Sequence, residues 1–147
     1  MLNKIKELLG INPKLTSIKE NAKKKILCVD DNEIDRKIIE KILRSRGYQF
    51  EVAVDGEEGY AKALSFKPDL ILLDFDMPKV TGYDMCMKIK ENPETEGIPV
   101  LFLSSTTSTK EILDCFEAEA ENCLSKPVNP TVLSVHIQDI LKDYEEK

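Results

Sequence analysis

At 147 residues and a net charge of −6, the chain has the size of one domain with room for a short appendage. It contains no apolar run near the ~20 residues that cross a bilayer, and its lysine-bearing start lacks the unbroken apolar stretch of a signal peptide. Seven lysines against two glutamates make residues 1–25 net +5, so the rest carries −11, which argues against nucleic-acid binding by the body.

This charge step divides the chain into a basic N-terminal extension, residues 1–24, and a domain, residues 25–147. In the extension Leu2, Ile5, Leu8 and Leu9 share a helical face, Gly10 interrupts, and Asn12-Pro13 reads as an N-cap with proline at the first helical position. Leu15 and Ile18 continue a second short stripe. A helix packed on the domain or a tail is the expectation.

From Lys25 onward strand and helix alternate. Ile26-Leu27-Cys28-Val29 is a short apolar strand ending in Asp30-Asp31. Ile34, Ile38, Ile39, Ile42 and Leu43 recur at helical spacing, and Gly47 is a stop. Residues 50–54 alternate as a second strand, and Asp55-Gly56 opens a helix closed by Lys67-Pro68. Leu70 to Leu73 is an unbroken apolar run ending in Asp74, as expected for a strand covered on both faces. A third helix is predicted over residues 81–91, a fourth strand over 98–103, and a brief fifth over 122–125. Ser108-Thr109-Lys110-Glu111 reads as a capping box opening the fourth helix. Asn129-Pro130 caps the last, whose stripe is Leu133, Ile137, Ile140, Leu141 and Tyr144. Five strand–helix units with right-handed crossovers predict an α/β fold with a parallel sheet and helices on both faces. Cys28, Cys86, Cys115 and Cys123 form no CxxC pair and sit in apolar segments, so they are expected buried, reduced and cytoplasmic. His136 is expected at a surface or boundary.

Asp30 and Asp31 end the first strand, Asp74 the third, Ser104 the fourth and Lys126 the fifth. All fall at the carboxyl edge, where doubly wound sheets bind ligands. Each alone would pass as an ordinary strand-end cap. Together they are three carboxylates that repel unless a cation is bound, plus a hydroxyl and an ammonium suited to phosphate oxygens. Oxygen-only ligands suit a hard metal such as magnesium, and the set suits phosphoryl transfer.

The pattern Val29-Asp30-Asp31, Leu72-Leu73-Asp74-Phe75-Asp76-Met77-Pro78 with Gly82, Leu103-Ser104-Ser105 and Ser125-Lys126-Pro127 resembles the response-regulator receiver domain of two-component signalling. The resemblance covers residues 25–144 and implies a flavodoxin-like doubly wound sheet of five parallel strands in the order 2-1-3-4-5. A chemotaxis regulator of this family is a known example of that strand order. It implies that Asp74 is the phosphoacceptor, Asp31 the more direct magnesium ligand and Asp30 the more water-mediated one. The backbone carbonyl of Asp76 would be a further metal contact. Ser104 resembles the switch hydroxyl, Ser105 and Thr106 flank the site, and Lys126 would pair with a phosphate oxygen. Pro127 resembles the proline that often follows this lysine with a cis bond. Asp76 also adds a carboxylate at the mouth of the site.

Two positions depart from the pattern: Cys123 stands where the family usually has its switching aromatic, and Glu119 where it commonly has glycine. The partners implied are a histidine kinase or histidine phosphotransfer protein and a downstream protein target, with no direct nucleic-acid binding. No output domain is expected in this chain. The last helix carries no arginine, unlike receivers that dimerise through their last two helices, so a monomer or weak dimer is expected. The only catalysis implied is the domain's own magnesium-dependent phosphorylation and dephosphorylation. Two alternatives remain: a non-phosphorylated pseudo-receiver binding module, and a phosphatase of the haloacid-dehalogenase type, whose Asp-x-Asp motif Asp74-Phe75-Asp76 matches.

Overall fold

Aliphatic runs build the three central strands of the sheet, because residues buried on both faces need no polar alternation, whereas the two edge strands are mixed and partly exposed. The computed structural model describes residues 4, 8–10, 18–106 and 108–146. Its strands are β1 (Lys25–Val29), β2 (Gln49–Ala53), β3 (Leu70–Asp74), β4 (Val100–Ser104) and β5 (Asn122–Ser125). The helices between and after them are α1 (Glu33–Ser45), α2 (Gly56–Phe66), α3 (Gly82–Glu91), α4 (Thr109–Glu117) and α5 (Pro130–Glu145). All strand pairs are parallel, in the expected order β2-β1-β3-β4-β5.

The pleat sorts each strand between two cores. Ile26, Cys28, Leu70, Leu72, Leu101 and Leu103 pack with α1 and α5, while Leu27, Val29, Ile71, Leu73, Val100 and Phe102 face α2, α3 and α4. Every residue of β3 and β4 is buried. At ~1.5–3 kcal/mol per buried aliphatic side chain, these two strands dominate the stabilisation of the sheet.

The helix starts follow local chemistry. Asn32, Asp55, Thr81, Ser108 and Asn129 each accept a first-turn backbone N–H, and Pro130 occupies the first turn of α5. Gly47 takes a φ of +86° after α1, the left-handed conformation that ends a helix.

Several expectations need correction. Ile34 and Ile38 are 71% and 42% exposed, so the apolar stripe of α1 buries only Ile39, Ile42 and Leu43. The fourth strand begins at Val100: Ile98 N–H is turned back to Thr95 O, and Pro99 has no N–H to offer. Ser104 belongs to β4 rather than following it. Cys28, Cys86 and Cys115 are buried, whereas Cys123 is half-buried, and all four are free. His136 lies at the boundary of the core.

In the extension, Leu2, Ile5, Asn12-Pro13 and Leu15 lie outside the described residues. Leu8 and Leu9 are exposed. Residues 18–21 form a helical turn against the domain, where Asn21 Nδ2 donates to Arg46 O (2.7 Å) and Gln49 Nε2 to Ala22 O (2.6 Å). Among the described residues no helix is long and apolar enough to cross a membrane.

Candidate functional site

Parallel register aligns the strand ends. Val29 pairs with Leu73, Asp74 with Leu103, and Ser104 with Ser125. Asp30, Asp74, Ser104 and Lys126 therefore lie along one carboxyl edge, each at or one residue beyond a strand's last pair. Lys126 N–H extends the ladder to Ser104 O at 2.8 Å, and the Lys126–Pro127 bond is cis.

The three expected carboxylates converge: one oxygen each from Asp30, Asp31 and Asp74 lies within 4.8 Å of the others. Asp30 and Asp74 are 1% and 3% exposed, while Asp31 faces solvent. Asp30 is anchored by Asn32 N–H on its Oδ1 (2.9 Å), and Arg36 Nη1 donates to its carbonyl (2.8 Å). Lys126 reaches from β5 beneath this cluster. Its Nζ lies 2.8 Å from Asp30 Oδ2, 3.0 Å from Asp35 Oδ2 and 3.3 Å from Asp74 Oδ1, with a side chain only 10% exposed.

Burial pushes the Asp74 carboxyl up to about 7, with the Asp30 charge and a hydrogen bond to Asp31 adding to the rise and Lys126 opposing it. Burial works against the charge of Lys126, but hydrogen bonds to Asp30 and Asp35 outweigh it and raise the ammonium well above its ordinary value. One lysine does not neutralise four carboxylates. The site is short of positive charge, and a hard dication is what this donor set would accept.

The remaining expected residues sit around the rim. Asp76 is exposed in the loop after β3, its N–H directed at Asp74 Oδ1 (3.3 Å) and its Oδ2 3.5 Å from Ser104 Oγ. Ser104 is fully buried; Ser105 and Thr106 are exposed at the mouth. Cys123 is not among these residues but lines a cavity of about 110 Å³ with Ile112, Cys115 and Phe116, between α4 and β5.

Two contributors were not anticipated, and a third, Gly82, figured only as part of the motif. Asp35 supplies a second partner to Lys126, and its place four residues after Asp31 on the opening turn of α1 was an available signal. Glu111 accepts from Ser104 Oγ (2.8 Å) and Thr106 Oγ1 (2.5 Å), a role concealed by its fit to a capping box. Gly82 crosses the back of the site, where an added Cβ would stand 2.2 Å from Asp74 O. The small residue lets α3 start against the end of β3, with Gly82 N–H bonded to Phe75 O (3.1 Å).

Residues 26–138 match the family described as response regulator receiver domain. The rice (Oryza sativa subsp. japonica) two-component response regulator ORR5 is 40% identical over 112 residues, 74% of this chain and 82% of that protein. The DNA-binding dual master transcriptional regulator RpaA of Synechocystis is 31% identical over 118 residues, 80% of this chain and 49% of that protein. The chain thus spans about half the length of that relative. Among solved structures, chemotaxis protein CheY4 of Vibrio cholerae superposes with a TM-score of 0.76 at 32% identity, over 80% of this chain and 98% of that one.

Proposed function

The chain belongs to the response regulator receiver family, and from that premise we propose that it accepts a phosphoryl group on Asp74 and signals by a change of conformation. One observation carries the reading: a buried carboxyl, raised to about 7, sits where two further carboxylates and a largely covered lysine side chain converge. A structural aspartate gains nothing from such company.

In this reading Asp74 is the nucleophile. Its oxygen forms the new P–O bond as the P–N bond of a phosphohistidine donor breaks, giving an acyl phosphate. Lys126, already 3.3 Å from Asp74 Oδ1, pairs with a phosphoryl oxygen. The Ser104 hydroxyl donates to another, and small Ser105 leaves room at the mouth. Asp30, Asp31 and Asp74, with the Asp76 carbonyl, would hold magnesium. When bound, magnesium neutralises the phosphoryl oxygens and keeps Asp74 ionised. Asp76 and Thr106 flank the site, and the Asp76 carboxylate at its mouth tunes how long the phosphate survives water.

The donor is a histidine kinase or histidine phosphotransfer protein and the recipient of the signal a protein target. The domain has no substrate beyond its own phosphorylation and dephosphorylation. Free thiols at all four cysteines favour a cytoplasmic setting. Residues 25–147 act as the receiver, and the basic residues 1–24 are an extension to it.

The test is incubation with magnesium and a small acyl-phosphate or phosphoramidate donor, followed by intact mass. Wild type is expected to gain one labile phosphate and Asp74→Asn none, with the variant still folded. Phosphate persisting on Asp74→Asn, or mapping elsewhere, refutes the assignment. No uptake by wild type points to a binding module, and multiple turnover to a phosphatase.

A further inference from the structure

Glu111 opens α4, and its backbone N–H is held by the N-cap, donating to Ser108 Oγ at 3.2 Å. In a complete capping box its carboxylate would turn back to the Ser108 backbone, as Asp84 does to Thr81 at the start of α3. Both Glu111 oxygens are directed elsewhere. Oε2 accepts from Ser104 Oγ at 2.8 Å and Oε1 from Thr106 Oγ1 at 2.5 Å. Ser104 Oγ is also within donating distance of Thr106 O, at 2.5 Å, and accepts from Thr106 N–H at 3.3 Å, so Thr106 and Glu111 together hold the hydroxyl. The helix gives up half of its cap, and the buried hydroxyl at the end of β4 faces α4.

A serine hydroxyl has one proton to donate. Here Glu111 Oε2 and Thr106 O share that proton, and a phosphoryl oxygen on Asp74 must take it from both. We infer that Glu111 is a positioning residue that holds the Ser104 hydroxyl in a latched state, and that phosphorylation must break this latch to recruit Ser104. The inference rests on the reading of Asp74 as the phosphoacceptor.

The competition has a clear direction. Hydrogen bonds to ionised acceptors are roughly twice as strong as neutral ones, so the latch is not a trivial obstacle. A phosphoryl group carries roughly −1.5 to −2 and offers three acceptor oxygens, so it can take the hydroxyl and repel the carboxylate at the same time. Any fraction of the protein that is latched lowers the apparent affinity for the phosphoryl group in proportion.

The latch also gives the signal a route outward. Glu111 ties the first turn of α4 to β4, and the same helix exposes Leu113 and Phe116, the latter at 70%. Release of Glu111 frees that turn. This route runs from Ser104 and Thr106 to Glu111 and needs no aromatic at Cys123, where the family usually has its moving ring.

The experiment is a double-mutant cycle read by calorimetric titration with beryllofluoride, a phosphoryl mimic, in excess magnesium. Wild type, Glu111→Ala, Ser104→Ala and the double variant are compared, with Glu111→Gln as the conservative change and melting curves as the control for folding. Glu111→Ala is expected to tighten binding about tenfold, ~1.4 kcal/mol, and Glu111→Gln by less, because its amide oxygen remains a weaker acceptor. In the Ser104→Ala background Glu111→Ala should change affinity by less than about twofold, since additivity fails only for groups that interact. Affinity unmoved by Glu111→Ala, or moved equally without Ser104, overturns the inference alone. Wild type that ignores beryllofluoride overturns the Asp74 reading and the latch with it.

Discussion

Replacing Asp74 by asparagine should stabilise the metal-free protein, and the gain should depend on pH in a way the charge cluster dictates. The Asp74 carboxyl titrates at about 7 in the fold against an ordinary value of 3.8. At ~1.4 kcal/mol per tenfold change in an ionisation equilibrium, the fold opposes this charge by at most ~4 kcal/mol. Asp30 and Asp31 share the burden, so about 2 kcal/mol is the expected net effect. Below pH 4 the carboxyl is protonated in both folded and unfolded chains, and the ionisation cost is absent. Between pH 4 and 7 the unfolded chain ionises while the fold retains its proton, so wild type loses stability as pH rises. Above pH 7 both states are ionised and the loss is complete. Asparagine keeps the shape and has no such cost. The stability difference, variant minus wild type, should therefore grow by about 2 kcal/mol between pH 4.5 and pH 8, or roughly 5 °C in melting temperature for a domain of this size. Urea denaturation in the presence of a chelator at both pH values measures it. Saturating magnesium should close much of the gap at pH 8 by stabilising only wild type. A difference that does not change with pH, or that shrinks as pH rises, would refute the account of Asp74 as a carboxylate held against its own ionisation.

Asp31 is the solvent-facing member of the cluster, so Asp31→Ala should raise the metal-free melting temperature at pH 8 by a few degrees and remove the response to magnesium; a calorimetric scan with and without the metal checks both. Gly82→Ala places a Cβ 2.2 Å from Asp74 O and 2.9 Å from Phe75 Cα, backbone that cannot give way cheaply. A loss of about 2–3 kcal/mol in urea denaturation and slower phosphate uptake by intact mass are expected; unchanged stability would mean that α3 can shift without cost.

Much of this architecture was legible along the chain because its causes are local. The apolar run from Leu70 to Leu73 had no polar face to expose, and Asp55, Ser108 and Asn129 cap helices within three residues of themselves. Asp30, Asp31, Asp74, Ser104 and Lys126 could be assigned to one edge because parallel strands all end on the same side. Where the causes are not local, spacing gave the helix but not its burial. Ile34 and Ile38 keep helical spacing but are left in solvent, since α1 meets the sheet over a stripe narrower than its apolar one.

Sequence by itself determined which chemical groups stand at the carboxyl edge, because strand direction and strand ends follow from short-range pattern. Only the tertiary structure decided what each group touches. Lys126 contacts Asp30 from 96 positions away, across two intervening strands, and Asp35 joins that pair from a helix whose packing angle no local rule specifies. Glu111 shows the division most sharply. Its sequence neighbours offer it Ser108, three residues distant, as a cap, and the fold offers it Ser104 and Thr106 instead. A carboxylate binds the donors that packing brings within reach, and a loop returning from β4 brings hydroxyls closer than any spacing along the chain could announce.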